Sequence, residues 1–130
     1  MNKEFVPYQE SLELKELGFD EACICMYNGY KHLKGNIIGS IDGDYIKKEK
    51  WDERLPAPLY QQAFRWFREK YKMAIINPDW NNKFKYKVFN LHLLNQGVLV
   101  EKSGFATYEE AELACLRKLI EIVKADGSNT

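Results

Sequence analysis

The fold is decided by residues 106–124, which read ATYEEAELACLRKLIEIVK. Thr107 is suited to cap a first helical turn, and Glu110, three residues later, completes the pattern of a capping box. Glutamates cluster at the start and lysines lie nearer the end, as the helix dipole favours. The segment is therefore a predicted amphipathic helix whose apolar stripe must pack against another element. That stripe consists of Ala111, Leu113, Ala114, Leu116, Leu119, Ile120 and Val123.

Three predicted strands precede this helix. They are rich in β-branched and aromatic residues and are separated by turn residues. Residues 78–82, beginning with Pro78, form a predicted turn after the first strand, and Gln96 with Gly97 forms another before the third. The strands span residues 73–77, 83–94 and 98–102.

A second helix is predicted over residues 59–71, because Pro58 suits a helix start. Its apolar residues recur at spacings of three and four, which gives one dense aromatic face. Such a face can stack nucleic-acid bases, but in so small a domain we expect it to seal the core. The face consists of Tyr60, Ala63, Phe64, Phe67 and Tyr71.

The N-terminal half begins with a predicted helix over residues 7–17. Pro7 suits its first turn, and Gly18 suits a left-handed stop. Asn28 and Gly29 then give the strongest hairpin signal in the chain. The two predicted hairpin strands span residues 22–27 and 30–38.

The remaining segments complete the predicted organisation. Residues 39–58, rich in glycine, proline and charge, predict a long surface loop, and residues 126–130 predict a frayed tail. We expect residues 1–130 to form a single domain, since 130 residues suit one core. The order α-β-β-(loop)-α-β-β-β-α predicts the α+β class, an antiparallel sheet packed by helices.

Composition bears on the cellular location of the protein. No apolar run approaches the roughly 20 residues of a membrane span, and the N-terminus lacks an apolar signal core. The three cysteines suit reduced thiols better than a disulfide framework. We therefore expect a soluble cytoplasmic protein with no membrane partner.

Metal and catalytic patterns are weak in this sequence. Asp42, Asp44 and Glu53 resemble a calcium loop only superficially, because Ile46 and Lys47 replace a ligand and a required glycine. The three cysteines and two histidines of the chain do not make a zinc set, and we expect the cysteines to be buried free thiols. A cysteine–histidine enzyme stays open, because such partners need to meet only in space. These candidates are Cys23, Cys25, Cys115, His32 and His92. We predict no catalytic residue, metal or cofactor.

A basic middle offers a candidate nucleic-acid surface. Residues 31–106 carry 14 Lys and Arg against 8 Asp and Glu. Three lysines alternate with apolar residues, so they share one strand face, which fits phosphate contacts or an exposed or edge strand that lysine protects from aggregation. The candidate phosphate contacts are Lys83, Lys85, Lys87, Arg65 and Arg68. Trp66 and Trp80 are candidates for an interaction surface, because exposed tryptophans mark such surfaces.

Three strings resemble a family of small uncharacterised proteins encoded by bacteriophages and prophages. They cover both ends of the chain and the middle helix: FVPYQESLELKELGFDE (5–21), APLYQQAFRWFREKY (57–71) and YEEAELACLRKLIEI (108–122). The resemblance implies a phage origin, a link to the phage α-β-α sandwich domain, and the cytoplasm of the host cell. It implies no catalytic residue.

The order from Leu59 onward is similar to a double-stranded-RNA-binding domain. That family grips phosphates with lysines at the start of its last helix. The corresponding residues here are Thr107, Tyr108, Glu109 and Glu110. Acidic residues in these places disfavour RNA binding.

The sequence leaves three functions open. The first is a non-enzymatic phage accessory protein that binds another macromolecule, with a protein partner favoured. The second is a nucleic-acid-binding protein that uses the basic middle, and the third is a cysteine- and histidine-dependent enzyme. Salt-sensitive affinity for nucleic acid distinguishes the second function from the first.

Overall fold

A computed structural model describes residues 4–27, 37–39, 45–51, 54–70, 72–90 and 98–128. These residues form three helices and two small antiparallel sheets, so the predicted α+β class is confirmed. A 3-10 helix at Lys48–Lys50 is also present. The elements are α1 (Tyr8–Glu16), β1 (Cys25–Tyr27), β2 (Ile37–Gly39), β3 (Leu55–Ala57), α2 (Tyr60–Arg68), β4 (Lys72–Pro78), β5 (Phe84–Asn90), β6 (Val98–Phe105) and α3 (Tyr108–Ser128). The chain divides into two compact units, residues 1–62 and 63–130.

The first unit is built on a sheet with the strand order β2-β1-β3. Met26 at its centre pairs with Ile38 on one side and Pro56 on the other, both antiparallel. Tyr27 links the sheet to the N-terminal segment, because its hydroxyl donates a hydrogen bond of 2.6 Å to the Val6 carbonyl. The Tyr27 ring also meets the edge of Tyr8 on α1, with 5.5 Å between ring centroids. The first unit therefore has its own core.

Helix α1 starts and stops as predicted. Pro7 precedes it in an extended conformation, and its last turn closes on Gly18, whose φ is +105°. This left-handed conformation disfavours side chains other than glycine, so the stop is encoded locally. Leu14 is fully buried on the inner side of the helix.

The predicted surface loop over residues 39–58 is wrong for its C-terminal part. Leu55–Ala57 form the buried strand β3, which pairs with β1. Trp51 is only 2% exposed, and its indole Nε1 donates a hydrogen bond of 3.1 Å to the Ile46 carbonyl. Pro56 is tolerated because β3 is an edge strand, where a missing N–H breaks no ladder.

Strands β1 and β2 pair antiparallel, but Tyr27 lies opposite Ile37, whereas the predicted two-residue turn at Asn28 and Gly29 would place it opposite Tyr30. The Asn28–Gly29 turn and the start of the return strand lie outside the described residues. Cys23 makes an isolated antiparallel bridge with Ile46. The described sheet strands of this unit are each three residues long.

The second unit contains the sheet β4-β5-β6 and helix α3, which packs mainly on β5. Val88 pairs with Ala74 on β4 and Val100 on β6, so these residues share one sheet face. Val88 and the inner stripe of α3 are buried together. The buried stripe residues are Ala111, Cys115, Leu116, Leu119 and Ile120.

Helix α3 begins at the predicted cap. The Thr107 hydroxyl accepts a hydrogen bond of 3.1 Å from the Glu110 N–H. The Glu110 carboxylate in turn accepts one of 3.2 Å from the Ala106 N–H, one residue earlier than a standard capping box. At the other end, α3 extends to Ser128, so the last turn of the helix overlaps the predicted tail.

Helix α2 is shorter than predicted, and its buried face is wider. Tyr60, Ala63 and Phe67 are buried as expected, while Phe64 is half-buried and Tyr71 lies outside the described residues. Trp66 is also buried, and its ring meets that of Phe67 edge-on at 5.0 Å. Helix α2 therefore has four bulky aromatic residues in nine positions, and little of its apolar surface is exposed.

Candidate functional site

The most exposed large apolar side chain in the described structure is Trp80, at 93% exposure. It lies in the turn that joins β4 and β5, as the sequence predicted. The turn is ordered by its own contacts: the Asp79 carboxylate accepts a hydrogen bond of 2.6 Å from the Trp80 N–H, and the Asp79 N–H donates to the Lys83 carbonyl. Asn82 adopts a left-handed φ of +58°, which asparagine tolerates well.

A second exposed aromatic side chain, that of Tyr108, lies at the same end of the sheet. Phe84 begins β5 directly after the turn, and its ring meets Tyr108 edge-on, with 6.0 Å between centroids. Tyr108 is 44% exposed and starts α3. We call Trp80, Lys83, Phe84 and Tyr108 the hairpin-end surface. It combines two exposed aromatic rings with an exposed lysine on backbone segments that are hydrogen-bonded in place.

The three candidate phosphate-binding lysines lie on or next to β5. Lys83 is exposed just before the strand, whereas Lys85 and Lys87 are half-buried within it. Their face is opposite that of Tyr86 and Val88, which are buried, so the predicted alternation is present. However, β5 is the central strand of its sheet, so the lysine row does not protect a sheet edge.

Lys85 is already engaged by an acidic neighbour. Its Nζ lies 3.4 Å from a Glu101 carboxylate oxygen on β6. Glu101 is also directly opposite Lys87 in the strand register. One carboxylate therefore offsets one of the three positive charges on this face, which makes the lysine row a weaker phosphate site than the sequence suggests.

The other sequence candidates lie on α2. Arg65 and Arg68 are exposed and three residues apart, so they are neighbours on one helix face. Trp66 is only 5% exposed, which excludes it as a surface residue in this structure. Lys70 covers its ring, with Nζ 4.6 Å from the centroid. Of the two tryptophans proposed for an interaction surface, only Trp80 is accessible.

The cysteine thiols are poorly reactive. Burial raises the pKa of the Cys23 thiol to about 12, and the Glu21 and Cys25 charges add to this effect. Burial, followed by Glu112, raises the pKa of Cys115 to about 12 as well. A thiol with such a pKa is almost fully protonated at neutral pH and is a poor nucleophile. The prediction of buried thiols is confirmed for Cys23 and Cys115, while Cys25 is half-buried.

Glu112 is a titratable residue that the sequence did not single out. Burial, followed by the charge of Glu109, raises the pKa of this carboxyl from 4.5 to about 7. The sequence shows it only as one of several acidic residues in the first turns of α3, without the packing that raises its pKa. Tyr108 was missed for a similar reason, because its contact with Phe84 joins residues distant in sequence.

The remaining chemical candidates fall outside the described residues. These are His32, His92, Asp42, Asp44 and Glu53. Within the described part of the chain, no cluster of three or more histidine, cysteine, aspartate or glutamate residues is arranged to hold a metal ion. None of the described helices is both long and apolar enough to span a membrane.

Comparison with known proteins gives no further guidance. No protein-family model, no curated protein and no solved structure matches this chain.

Proposed function

We propose that this protein is a non-enzymatic accessory protein that binds another macromolecule, a protein in the first place, through its hairpin-end surface. The observation that carries the proposal is the 93% exposure of Trp80 on a hydrogen-bonded turn. Tryptophan is strongly enriched among the residues that dominate binding energy at protein interfaces. An exposed indole in so ordered a turn is well suited to that role.

The order of the turn matters for affinity. Binding loses free energy when side chains and loops must be immobilised at the interface. The Asp79 contacts already fix the backbone on both sides of Trp80, and the Phe84–Tyr108 ring contact fixes the adjoining aromatic pair. A partner therefore has little left to order except the indole itself.

The thiol chemistry supports a binding role over cysteine catalysis. Cys23 and Cys115, with pKa values of about 12, lack the low thiol pKa that catalytic cysteines need. The proposal includes a phage or prophage origin, which rests on the resemblance of the three helical strings. It also includes a location in the host cytoplasm, supported by three cysteines that are all free.

Affinity capture tests this function. The immobilised protein is incubated with bacterial lysate beside Trp80→Ala and Tyr45→Ala variants, each checked for native unfolding temperature. Tyr45 is a matched control, because it is also an exposed aromatic residue, at 59%, but belongs to the first unit. We expect a stoichiometric protein partner that the wild type and Tyr45→Ala retain and Trp80→Ala loses. Equal capture by all three proteins contradicts the proposal.

Nucleic-acid binding is the second candidate, and one observation favours it. Residues 72–105 contain five lysines and only two acidic residues, and three of the lysines are Lys83, Lys85 and Lys87. If this function is correct, oligonucleotides bind at low salt, affinity falls steeply as salt rises, and Lys83→Glu weakens binding. Absence of binding to duplex and single-stranded probes at low salt contradicts it.

A further inference from the structure

Resting on the proposed function, we infer that the partner binds the hairpin-end surface through a basic segment. In this contact an arginine stacks on an exposed aromatic ring, and its charge lies beside the carboxylates at the start of α3. The inference follows from the charges that surround the exposed rings. It names the chemistry of the partner, which exposure of the indole alone does not.

The rings and the lysine row occupy different faces of the second sheet. Phe84 lies on the face that α3 covers, because its ring meets Tyr108 at the start of that helix. The lysine row that begins at Lys83 alternates with Phe84 along the strand and therefore lies on the opposite face. Lys102 is the lysine that borders the rings on the α3 side, since its Nζ is 6.0 Å from the ring of Phe105, which is directly opposite Phe84.

Three acidic residues surround Tyr108. Glu109 and Glu110 follow it directly and are exposed. Glu112 is half-buried one helical turn further on, four residues from Tyr108 and three from Glu109, so these three side chains are neighbours. Burial raises the pKa of Tyr108, and the charges of Glu112, Cys115 and Glu109 add to this effect, in keeping with their proximity. Among the residues that the structure describes, neither Glu109 nor Glu112 has a basic partner.

The charge balance around the rings is negative. Asp79 and Glu110 each accept a hydrogen bond from a neutral backbone N–H, which leaves their charge in place. With Glu109, they set three carboxylates against the ammonium group of Lys102, or against two ammonium groups when the lysine in the turn is counted. Glu112, with its pKa of about 7, adds roughly half a negative charge at neutral pH, which equals what the helix dipole offsets. Cationic side chains on a partner complement this excess.

Arginine suits this surface better than other cationic groups. Its guanidinium stacks on aromatic rings and also donates paired hydrogen bonds to a carboxylate. Tyr108, followed directly by Glu109, offers both groups in adjacent positions, and Trp80 offers a second exposed ring. A nucleic-acid strand would bring phosphates to the same carboxylates, which repel them. The charge pattern therefore favours a basic protein.

A displayed library of random 12-residue peptides tests this inference, because it offers basic, acidic and uncharged ligands in one selection. Peptides are selected on the wild-type protein and counter-selected on Trp80→Ala. We expect the survivors to be enriched in Arg, with Lys second. We also expect Glu109→Gln to weaken the binding of these peptides about threefold, with a smaller effect at high salt, because exposed charges act through screened electrostatics.

Glu121→Gln is the matched control, because it removes the same charge from the same helix. Glu121 is exposed and lies twelve residues from Glu109, about 18 Å along the helix axis. We expect this variant to bind the peptides as the wild type does. Equal weakening by the two substitutions overturns the inference, because a general loss of negative charge then accounts for both.

The outcomes separate the two proposals. Peptides that need Trp80 but are acidic or uncharged overturn the basic partner while the binding function stands. If no selected peptide depends on Trp80, both proposals fail. A single-stranded oligothymidine 20-mer is titrated in parallel with tryptophan emission as the readout. A Trp80-dependent change in emission with this probe at low salt overturns the inference in favour of nucleic acid.

Discussion

Individual residues of one type have sharply different surroundings in this protein. Trp51 and Trp66 are buried, whereas Trp80 is almost fully exposed. Trp51 satisfies its indole N–H on the Ile46 carbonyl, and Trp66 packs edge-on against Phe67. Trp80 lies instead where two strands reverse direction, and its turn is held by backbone contacts. The local conformation of the chain, not the residue type, therefore decides which indole is available to a partner.

The thiols give the first prediction at this scale. In the native protein at pH 8, we expect a thiol-specific reagent to modify Cys25 before the other two, because Cys23 and Cys115 are buried and their pKa values are about 12. Burial raises the pKa of Cys25 as well, so even this reaction is slower than with free cysteine. Mass spectrometry of peptides after timed labelling measures the order. Denatured protein, in which all three sites react, is the control, and rapid native labelling of Cys115 contradicts the account.

At the scale of elements, the cap of α3 makes a quantitative prediction. Thr107→Ala removes the hydroxyl that accepts the Glu110 N–H and is expected to lower the free energy of unfolding by about 1 kcal/mol. Thr107→Ser keeps the hydroxyl and is the matched control. Denaturant unfolding of the three proteins measures the difference. If alanine and serine variants unfold at the same midpoint, the cap does not stabilise α3.

The raised pKa of Glu112 predicts a dependence of stability on pH. Because burial raises this pKa from 4.5 to about 7, the folded state binds the proton more tightly than the unfolded state. The resulting stabilisation is complete below about pH 4.5 and is lost as the pH rises through 7. We expect Glu112→Gln to flatten the stability profile between pH 5 and 7 and to be more stable than the wild type at pH 8. Unfolding curves across this range measure it, and parallel profiles for the two proteins contradict it.

The helices were predictable because their ends carry explicit local signals. Gly18 and Thr107 each act within one turn of chain, so their effect is visible in the sequence. Strand β3 was not predictable, because Pro56 and Pro58 are usual signs of a loop and only pairing with β1 makes the segment a strand. The burial of Trp66 was not predicted for a related reason. The spacing of apolar residues marks one narrow face of α2, whereas the folded protein buries a wider part of the helix surface.

At the scale of the whole chain, the candidate site joins segments that the sequence keeps apart. Trp80 and Lys83 were recognisable as candidates, the first as a tryptophan in a predicted turn and the second in a lysine alternation. Tyr108 was not, because only the pairing of Phe84 with Phe105 brings the start of α3 beside the turn. Further along the β5–β6 ladder, the pairing of Lys87 with Glu101 also brings Glu101 beside Lys85, which weakens the case for a phosphate-binding row.

Amide hydrogen exchange tests the central claim most directly, with the protein measured alone and bound to the partner captured from lysate. We predict new protection confined to the hairpin-end surface, in peptides covering Asp79–Phe84 and the first turn of α3 at Tyr108. Peptides covering α2, with Arg65 and Arg68, are expected to exchange unchanged. Protection over α2 or over the middle of β5, with none at Trp80, would contradict the account.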